Sequence, residues 1–433
     1  MNARQSAFPA KISRQRLISI IGGSAGNLVE WYDWFAYASF AIYFAPVFFP
    51  KADPTAQLLS TATIFAAGFV MRPIGAWVMG RFADARGRKA GLTLSVALML
   101  SGSLLLAVAP TYAMAGLAGP AILLLARMLQ GLSLGGEYGA SATYLSEMAP
   151  KANRGFWASF QYMTLCGGQL CAIAVAVILQ GFLSEAELTA WGWRVPFVIG
   201  ALLALGVYLL RRNLAETPSF TNQAVDRPVS TARMLWREHR RESILVAMLS
   251  AGGGLSAYTF TSYMQKYLFN TVGFDKATAT WIVGAALLWF TAMQPLFGAL
   301  ADRFGRKPML LIFGIGGAVA AVPVFLLLEQ TTSPFIATLL ILIPLTLQSG
   351  YSANNALVKA ELFPAHIRGL GVALPYAIGN AVFAGTLEMV ALSLKGAGVE
   401  WLFYIYVAAV IAMAGVATLL LPETRERSLI MED

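Results

Sequence analysis

The sequence predicts an all-α membrane protein in which twelve transmembrane helices form two pseudo-symmetric six-helix bundles. Three observations support this fold class. Of the 433 residues, 58% are hydrophobic and 12% are charged, a balance that excludes a disordered chain and an ordinary soluble enzyme. Apolar runs long enough to cross a bilayer recur along the chain, and two loop motifs occur once in each half.

The apolar runs are separated by charges, glycines and prolines. Because a helix needs roughly 20 apolar residues to cross the hydrocarbon core, runs of that size mark candidate spans. The uncharged stretch 90–126 is divided near Pro110 and Pro120, where a tight external hairpin is expected. The predicted limits are 17–46, 57–82, 90–109, 119–147, 155–182, 194–211, 242–270, 277–302, 308–328, 334–361, 367–394 and 400–421.

The positive charges fix the predicted orientation. Most of the 31 Lys and Arg residues fall in loops on the side of the N-terminus, and the opposite side holds only Lys51, Arg194, Lys276 and Lys395. Short cytoplasmic loops collect positive charge, so both termini are predicted to be cytoplasmic. The formal net charge of +9 is therefore a topology signal, and no nucleic-acid partner is expected.

Two motifs repeat at nearly half the chain length. The pattern G-x-x-x-D-x-x-G-R-K starts at Gly80 and returns at Gly298, 218 positions later. The pattern E-x-x-P-x-x-x-R-G starts at Glu147 and returns at Glu361, 214 positions later. A duplicated six-span unit is the simplest source of both repeats. The predicted units are an N-terminal bundle 1–210, a cytoplasmic linker 211–241 and a C-terminal bundle 242–433.

The repeated motifs are candidate gates. Each sets an acidic residue near a helix end, where it can pair with arginine, and the first motif adds a basic cluster that meets anionic headgroups. Such a network can hold one face of a transporter closed. The enrichment of positive charge in cytoplasmic loops would by itself explain one copy of the first motif. It explains a matching pair of copies less well. The candidate gating residues are Asp84, Arg88, Glu147, Arg154, Asp302, Arg306, Glu361 and Arg368.

The first motif is similar to the loop signature of the major facilitator superfamily. The strings Gly26 to Asp33, Phe69 to Gly75 and Arg127 to Gly139 resemble the metabolite:proton symporter family within it. Tyr258 to Leu268 and Ala158 to Tyr162 resemble the branch of that family that transports α-ketoglutarate. The resemblance covers nearly the whole chain. It implies coupled uptake of small organic acids or zwitterions across the bacterial inner membrane.

Ionisable side chains inside the predicted spans are functional candidates, because each costs at least ~2.5 kcal/mol at mid-bilayer. A guanidinium can bind a carboxylate through two parallel hydrogen bonds. Arg72 is therefore the first candidate to bind a dicarboxylate, and Arg127 the second. The structural alternative for Arg72 is an ion pair with Glu30 or Asp33. For Arg127, the resemblance implies proton coupling and helix packing.

Proton coupling needs a group whose proton affinity changes as the cavity opens. The only histidines, His239 and His366, fall in predicted cytoplasmic loops, so carboxylates remain. Competition between substrate and carboxylate for one arginine would couple the two ions. Asp33 and Glu30 are predicted for this role. Glu137 is a third candidate, for which a bond to the neighbouring backbone is an equal alternative.

The second half has fewer charges inside its spans. Lys266 is expected to contact the second carboxylate, unless it snorkels to the interface. Glu388 needs a partner, which Lys266 or Lys395 would supply, and Lys359 is expected to be an interfacial anchor. Polar side chains also link membrane helices, so the hydrogen-bonding candidates each have a packing alternative. They are Tyr258, Tyr263, Gln265, Gln294, Tyr351 and Asn355.

These features predict a monomeric, proton-coupled importer of a dicarboxylate, with α-ketoglutarate as the leading substrate and membrane lipids as its surroundings. Other acids (β-ketoadipate, itaconate), zwitterions (betaine, proline) and a transport-inactive membrane sensor stay open. No enzyme is expected, because intramembrane histidine, nucleophile motifs and Walker motifs are missing from the sequence. No cofactor or metal is expected, and Cys166 and Cys171 lie together in an apolar run.

Overall fold

The computed structural model describes residues 14–50, 53–86, 88–148, 151–212, 231–364 and 367–430, and twelve long helices account for most of them. The first six are α1 (Arg14–Phe48), α2 (Pro54–Arg86), α3 (Arg88–Val108), α4 (Ala118–Met148), α5 (Arg154–Phe182) and α6 (Val195–Arg212). The second six are α7 (Arg240–Val272), α8 (Lys276–Phe304), α9 (Arg306–Gln330), α10 (Pro334–Glu361), α11 (Arg368–Gly396) and α12 (Trp401–Leu420).

The described helices confirm the predicted fold class. Ten of them carry a stretch long and apolar enough to cross a membrane, and α3 contains the shorter apolar helix Thr93–Val108. Large apolar side chains, including Phe182, Trp281 and Val319, are exposed on their outer faces. In a bilayer such faces meet lipid, and the helical backbone satisfies its own hydrogen bonds. The predicted spans end within a few residues of the observed helices.

The packing between the two halves follows the repeat. Helix α2 lies against α11, and α5 lies against α8. Exchanging the two six-helix units converts one of these pairs into the other, which is the relation expected of a duplicated unit. The described residues thus form two pseudo-symmetric bundles that meet along two equivalent pairs of helices.

Small residues let helices of one bundle approach closely. A Cβ atom on Gly131 would lie 2.0 Å from the carbonyl oxygen of Gly68, and one on Gly135 would lie 2.1 Å from that of Arg72. Only glycine fits at such a contact, so α2 and α4 touch backbone to backbone. Pro73 also lies inside α2, where it removes the hydrogen bond to the Phe69 carbonyl. This contact fixes the position of Arg72.

In the described part of the chain, three short α-helices lie between the long ones: Tyr112–Ala115, Glu185–Ala190 and Ala232–Glu238. Ser184 begins the second with a capping box. The Asp275 side chain caps α8 by accepting from the Thr278 backbone N–H, and the Thr278 side chain holds the pKa of Asp275 below its ordinary value. The third helix falls in the predicted linker, whose residues 213–230 lie outside the described residues, so the domain limits stay a prediction.

The helices of the second half are irregular beside the interface between the halves. Helix α7 widens to a π-helical turn at Thr259–Tyr263, and α11 does so at Asn380–Ala384. Helix α10 is interrupted at Ala353 and Asn354, between Ser352 and Asn355. Irregular turns in membrane helices often mark functional sites, because they redirect side chains.

Candidate functional site

A central cavity lies between the halves at the level of these irregular turns. It is lined by α1 and α5 from the first half and by α7, α8, α10 and α11 from the second. Nearly half of its lining residues are aromatic, and a few amide and hydroxyl groups accompany them, which is the usual composition of a small-molecule site. The lining residues are Trp31, Phe35, Tyr162, Leu165, Cys166, Gln169, Gly254, Ala257, Tyr258, Thr261, Phe290, Tyr351, Asn355, Tyr376 and Asn380.

Glycines of α7 hold the second-half wall together. A Cβ atom on Gly253 would overlap the Tyr351 ring, at 1.9 Å, and one on Gly254 would lie 2.0 Å from Oδ1 of Asn380. Both neighbours line the cavity. Any larger residue at these positions would therefore displace the Tyr351 ring or the Asn380 amide from the cavity wall.

Arg72 lies at the edge of this cavity. It is 3% exposed, and its guanidinium carbon is 4.0 Å from the ring centres of Trp34 and Phe69. Its Nη2 donates to Oη of Tyr258, a cavity residue of the other half, at 3.5 Å. Among the described residues no acidic side chain forms an ion pair with Arg72, and its Nε has no acceptor. The structural alternative, a pair with Glu30 or Asp33, is therefore not observed.

A second, smaller space adjoins the cavity, and Arg72 is part of its lining. It is lined by Trp31, Arg72, Leu134, Gly135, Ala373, Tyr376 and Ala377. Trp31 and Tyr376 line both spaces. The Arg72 guanidinium thus adjoins the cavity through shared aromatic walls.

Arg127 and Asp33 lie deeper inside the first half, and neither lines the cavity. Nη1 of Arg127 donates to Oε1 of Gln130 at 2.6 Å, and Nε2 of Gln130 donates to Oδ2 of Asp33 at 2.5 Å. All three side chains are fully buried. The Arg127 guanidinium carbon is 3.8 Å from the Trp34 ring centre, so one indole contacts both cations, Arg127 and Arg72. An amide therefore joins the buried carboxylate to a guanidinium that neighbours Arg72.

Lys266 forms a buried ion pair with Glu388, and neither residue lines the cavity. Their side chains are 1% and 3% exposed. The pair connects α7 to α11 and gives Glu388 the partner that the sequence required. Lys395 instead donates to the Asn270 carbonyl and to Oγ1 of Thr271. The geometry brings Lys266 to Glu388 rather than to the candidate site.

We expect Lys266→Met alone to destabilise the protein by about 3–5 kcal/mol, because it leaves the Glu388 charge buried and unpaired. The double variant Lys266→Met/Glu388→Leu should regain most of that loss, because no charge remains. Thermal unfolding of the detergent-solubilised protein, followed by gel filtration, measures both. A single variant as stable as the wild type would contradict the assigned role of the pair.

The hydrogen-bonding candidates separate into two groups. Tyr258, Tyr351 and Asn355 line the cavity. Gln265 and Gln294, by contrast, link helices: Gln265 donates to Thr280 at 2.8 Å, and Gln294 accepts from Ser352 at 2.8 Å. Tyr263 is also buried away from the cavity, where its ring packs against Phe403 and Tyr267.

The sequence predicted an interfacial anchor at Lys359, but the structure buries this residue inside the protein. It is 1% exposed, and its Nζ donates to Oη of Tyr351 at 3.4 Å. The same atom is 4.2 Å from the ring centre of Tyr376. Both tyrosines line the cavity, so Lys359 lies directly behind its wall.

The ends of the halves that carry the loop motifs are joined by the second copy of the first motif. Oδ1 and Oδ2 of Asp302 accept from the backbone N–H groups of Gly155 and Phe156, each at 2.8 Å. These N–H groups begin α5, where a helix favours a negative charge. Arg306 in turn lies 3.4 Å from Asp302 and 3.7 Å from Glu361. This network holds α8 of one half against α5 of the other.

Other candidate gating residues lie around this network. Arg154 is buried at the start of α5. Arg368 donates to the backbone carbonyls of Ala360, Phe363 and Leu429. The side chains of Asp84, Arg88, Glu137 and Glu147 lie outside the described residues.

Glu30, the other proton-coupling candidate of α1, has a buried side chain that is 4% exposed.

The opposite ends of the halves, away from the loop motifs, are also in contact. Nζ of Lys276 lies 2.6 Å from Oε1 of Glu185, and Nε2 of Gln180 donates to Oη of Tyr43 at 2.6 Å and Oγ1 of Thr280 at 3.1 Å. The described residues therefore join the halves on both sides of the cavity. Contacts between the halves on both sides of a central cavity are expected of a closed conformation.

Four site residues did not stand out in the sequence: Gln130, Gln169, Tyr376 and Asn380. Gln130 follows Arg127 by three positions and so shares its helix face, a spacing that predicts the observed bond. Tyr376 and Asn380 are four apart and share a face of α11. Their residue types alone are too common in membrane helices to single them out.

Comparisons with known proteins agree with this architecture. A family model described as Major Facilitator Superfamily matches residues 33–383 and 259–429. The chain is 48% identical over 416 residues to the alpha-ketoglutarate permease of Escherichia coli (strain K12), covering 96% of each chain. It is 32% identical to the citrate-proton symporter of Klebsiella pneumoniae, over 88% of this chain and 85% of that one.

A crystal structure of a D-xylose-proton symporter is similar in fold, with a TM-score of 0.77 at 20% sequence identity, over 95% of this chain and 99% of that one. The family match spans most of the chain, and the helices, their pairing and the repeated motifs fit it. This chain therefore belongs to the Major Facilitator Superfamily.

Proposed function

We propose that this chain is a secondary transporter that imports a dicarboxylate, α-ketoglutarate, together with protons. The observation that carries the proposal is Arg72, a buried guanidinium beside the central cavity that has no acidic partner in the described part of the chain. A buried cation calls for an anion, and a substrate can supply one. The identity with the alpha-ketoglutarate permease supports this substrate.

The proposed site binds one carboxylate of the substrate at Arg72. A doubly charged anion leaves water only where charge-assisted hydrogen bonds replace its hydration, and a guanidinium provides two of them. Tyr258, which already accepts from Arg72, and Asn355 are proposed to hydrogen-bond the substrate. The aromatic wall excludes water and strengthens these interactions.

Transport requires the two ends of the cavity to open in turn. We propose that the Asp302 network is the cytoplasmic gate and that rocking of the halves separates Asp302 from the start of α5. Arg306, Glu361, Arg154 and Arg368 support that gate. The first copies of both motifs, with Asp84 and Arg88 in one and Glu147 in the other, are proposed to act in the same way between the other pair of helices.

Asp33 is the proposed proton carrier. Its carboxylate is fully buried in the first half and is joined through Gln130 to Arg127. Protonation removes a negative charge beside two cations, Arg127 and Arg72, and so favours binding of an anion. Glu30 and Glu137 remain proposed participants.

The proposed location is the bacterial inner membrane, with both termini in the cytoplasm and one chain as the transport unit. The excess of Lys and Arg in the predicted cytoplasmic loops supports this orientation. A transporter of this kind needs no cofactor, because the proton gradient drives it, and its partners are the organic acid, protons and the surrounding lipid.

Transport is tested in proteoliposomes that contain the purified chain. Labelled α-ketoglutarate should accumulate when an inward proton gradient is imposed, and a protonophore should abolish the accumulation. Accumulation that survives collapse of the gradient would contradict proton coupling. Empty liposomes and liposomes with a matched unrelated membrane protein are the controls.

Substrate class is tested by competition. Unlabelled α-ketoglutarate, β-ketoadipate and itaconate are compared with betaine and proline at equal concentration. Dicarboxylates should compete with the labelled substrate, because they supply the negative charge that pairs with Arg72. Competition by the zwitterions without the dicarboxylates would refute the dicarboxylate site.

A further inference from the structure

A dicarboxylate has two negative ends, and the proposed function accounts for one of them. Arg72 belongs to the first half. Among the described residues of the second half, two lysines are fully buried, Lys266 and Lys359. Lys266 is engaged with Glu388 away from the cavity. The buried arginines Arg306 and Arg368 belong to the cytoplasmic gate.

From this geometry we propose that Lys359 is the second cation of the site and recognises the carboxylate at the other end of the substrate. The inference rests on the proposed function and deepens it. It assigns dicarboxylate specificity to a residue of α10 that the sequence did not single out for binding.

Lys359 makes the same kind of contact as Arg72, with a tyrosine of its own helix α10 where Arg72 contacts a tyrosine of the opposite half. Nη2 of Arg72 reaches Oη of Tyr258 at 3.5 Å, and Nζ of Lys359 reaches Oη of Tyr351 at 3.4 Å. Each cation thus meets the hydroxyl group of a cavity-lining tyrosine. The two cations come from opposite halves of the molecule.

Tyr376 connects the surroundings of the two cations. Its ring centre lies 4.2 Å from Nζ of Lys359. The same residue lines both the central cavity and the smaller space beside Arg72. Tyr376 therefore adjoins the surroundings of both cations.

The chemistry of lysine suits this role. Its ammonium is a compact charge on a flexible four-carbon stem, so it can follow a carboxylate over a short distance. Asn355 lines the cavity one helical turn before Lys359. The proposal requires the Lys359 side chain to rotate past the Tyr351 hydroxyl group so that its ammonium reaches the cavity.

Two consequences follow for recognition. A dicarboxylate bound between Arg72 and Lys359 links the two halves, so an occupied site favours the closed state. A zwitterion would direct its cationic group at Lys359, and like charges repel. The pair thus selects for a dianion and against a zwitterion.

The test compares two ligands that differ in one end. 2-Oxopentanoate has the carbon chain of α-ketoglutarate, with a methyl group in place of the second carboxylate. Binding of both to the purified protein is measured by titration calorimetry or by competition. For the wild type we expect the dicarboxylate to bind about 30-fold more tightly.

Lys359→Met should reduce that ratio to about threefold or less while binding of 2-oxopentanoate changes little, because only the second carboxylate loses its partner. Lys359→Arg keeps the charge and should keep a ratio above about tenfold. Lys395→Met removes the same charge at the outer end of α11 and should keep the wild-type ratio. A purely structural role would weaken both ligands equally.

The inference is overturned if Lys359→Met keeps the wild-type ratio of the two affinities. It is also overturned if Lys359→Arg loses the preference for the dicarboxylate as fully as Lys359→Met does. Should the methionine variant not fold, Lys359→Gln is measured in the same way with the same criteria, and the arginine variant remains decisive. If the proposed function itself is wrong, the experiment gives a different result: the wild type then neither binds nor transports α-ketoglutarate.

Discussion

Replacing Arg72 by methionine is expected to weaken α-ketoglutarate binding and uptake by about two orders of magnitude or more. Truncating one partner of a buried, hydrogen-bonded charge pair costs about 2–5 kcal/mol, and here the other partner is the substrate. Methionine keeps an apolar stem against Trp34 and Phe69, so local packing is largely preserved. Uptake into proteoliposomes and equilibrium binding measure the loss.

Two further variants identify the cause of the loss. Arg72→Lys keeps the charge without the planar fork and should bind with intermediate affinity. Arg194→Met removes a guanidinium at the end of the first half away from the loop motifs, where it donates to the Ala109 carbonyl at 3.0 Å, and should leave binding near that of the wild type. Near-normal binding by Arg72→Met would remove the cation from the proposed site.

The helices were predictable because hydropathy is a strong signal in a membrane protein. The predicted span 334–361 has the limits of α10, and 155–182 begins one residue inside α5. The short helices Glu185–Ala190 and Ala232–Glu238 were missed. They are too short and too polar to form an apolar run, and the capping box at Ser184 was the only local signal for the first.

The site was less predictable because a nearly uniform apolar helix does not reveal which face lines a cavity. The sequence identified the intramembrane ions, but not their neighbours. Arg127 and Asp33 turn into their own bundle, where Gln130 bridges them. Lys266 meets Glu388, and Lys359, which looked like an interfacial residue, lies behind the cavity wall. Three-dimensional packing decides these pairings, and residue type does not.

Coupling between the proton and the substrate follows from charge within the first half. Arg72 and Arg127 contact the same ring, that of Trp34, and Asp33 is joined to Arg127 through Gln130. A unit charge on the order of 10 Å away contributes about 1.7 kcal/mol at an effective dielectric constant of about 20. Protonation of Asp33 should therefore strengthen anion binding at Arg72, and anion binding should strengthen proton binding by the same factor.

Asp33→Asn is expected to abolish proton-driven accumulation of α-ketoglutarate while exchange of labelled for unlabelled substrate continues. The amide resembles the protonated acid in shape and charge, and its oxygen can still accept from Gln130. The variant is then fixed in the form that binds substrate but carries no proton. Accumulation under an imposed gradient, and counterflow without one, are measured on the same preparation.

The pH dependence of binding gives a second readout. Wild-type affinity for α-ketoglutarate should rise as Asp33 takes up a proton, that is, as the pH falls, whereas the affinity of Asp33→Asn should lose this component. Glu30→Gln is the matched variant, three residues earlier on the same helix, and distinguishes loss of a particular carboxylate from loss of any intramembrane charge. If Asp33→Asn still accumulates substrate against its gradient and Glu30→Gln does not, the coupling carboxylate is Glu30, and the Gln130 bridge serves packing alone.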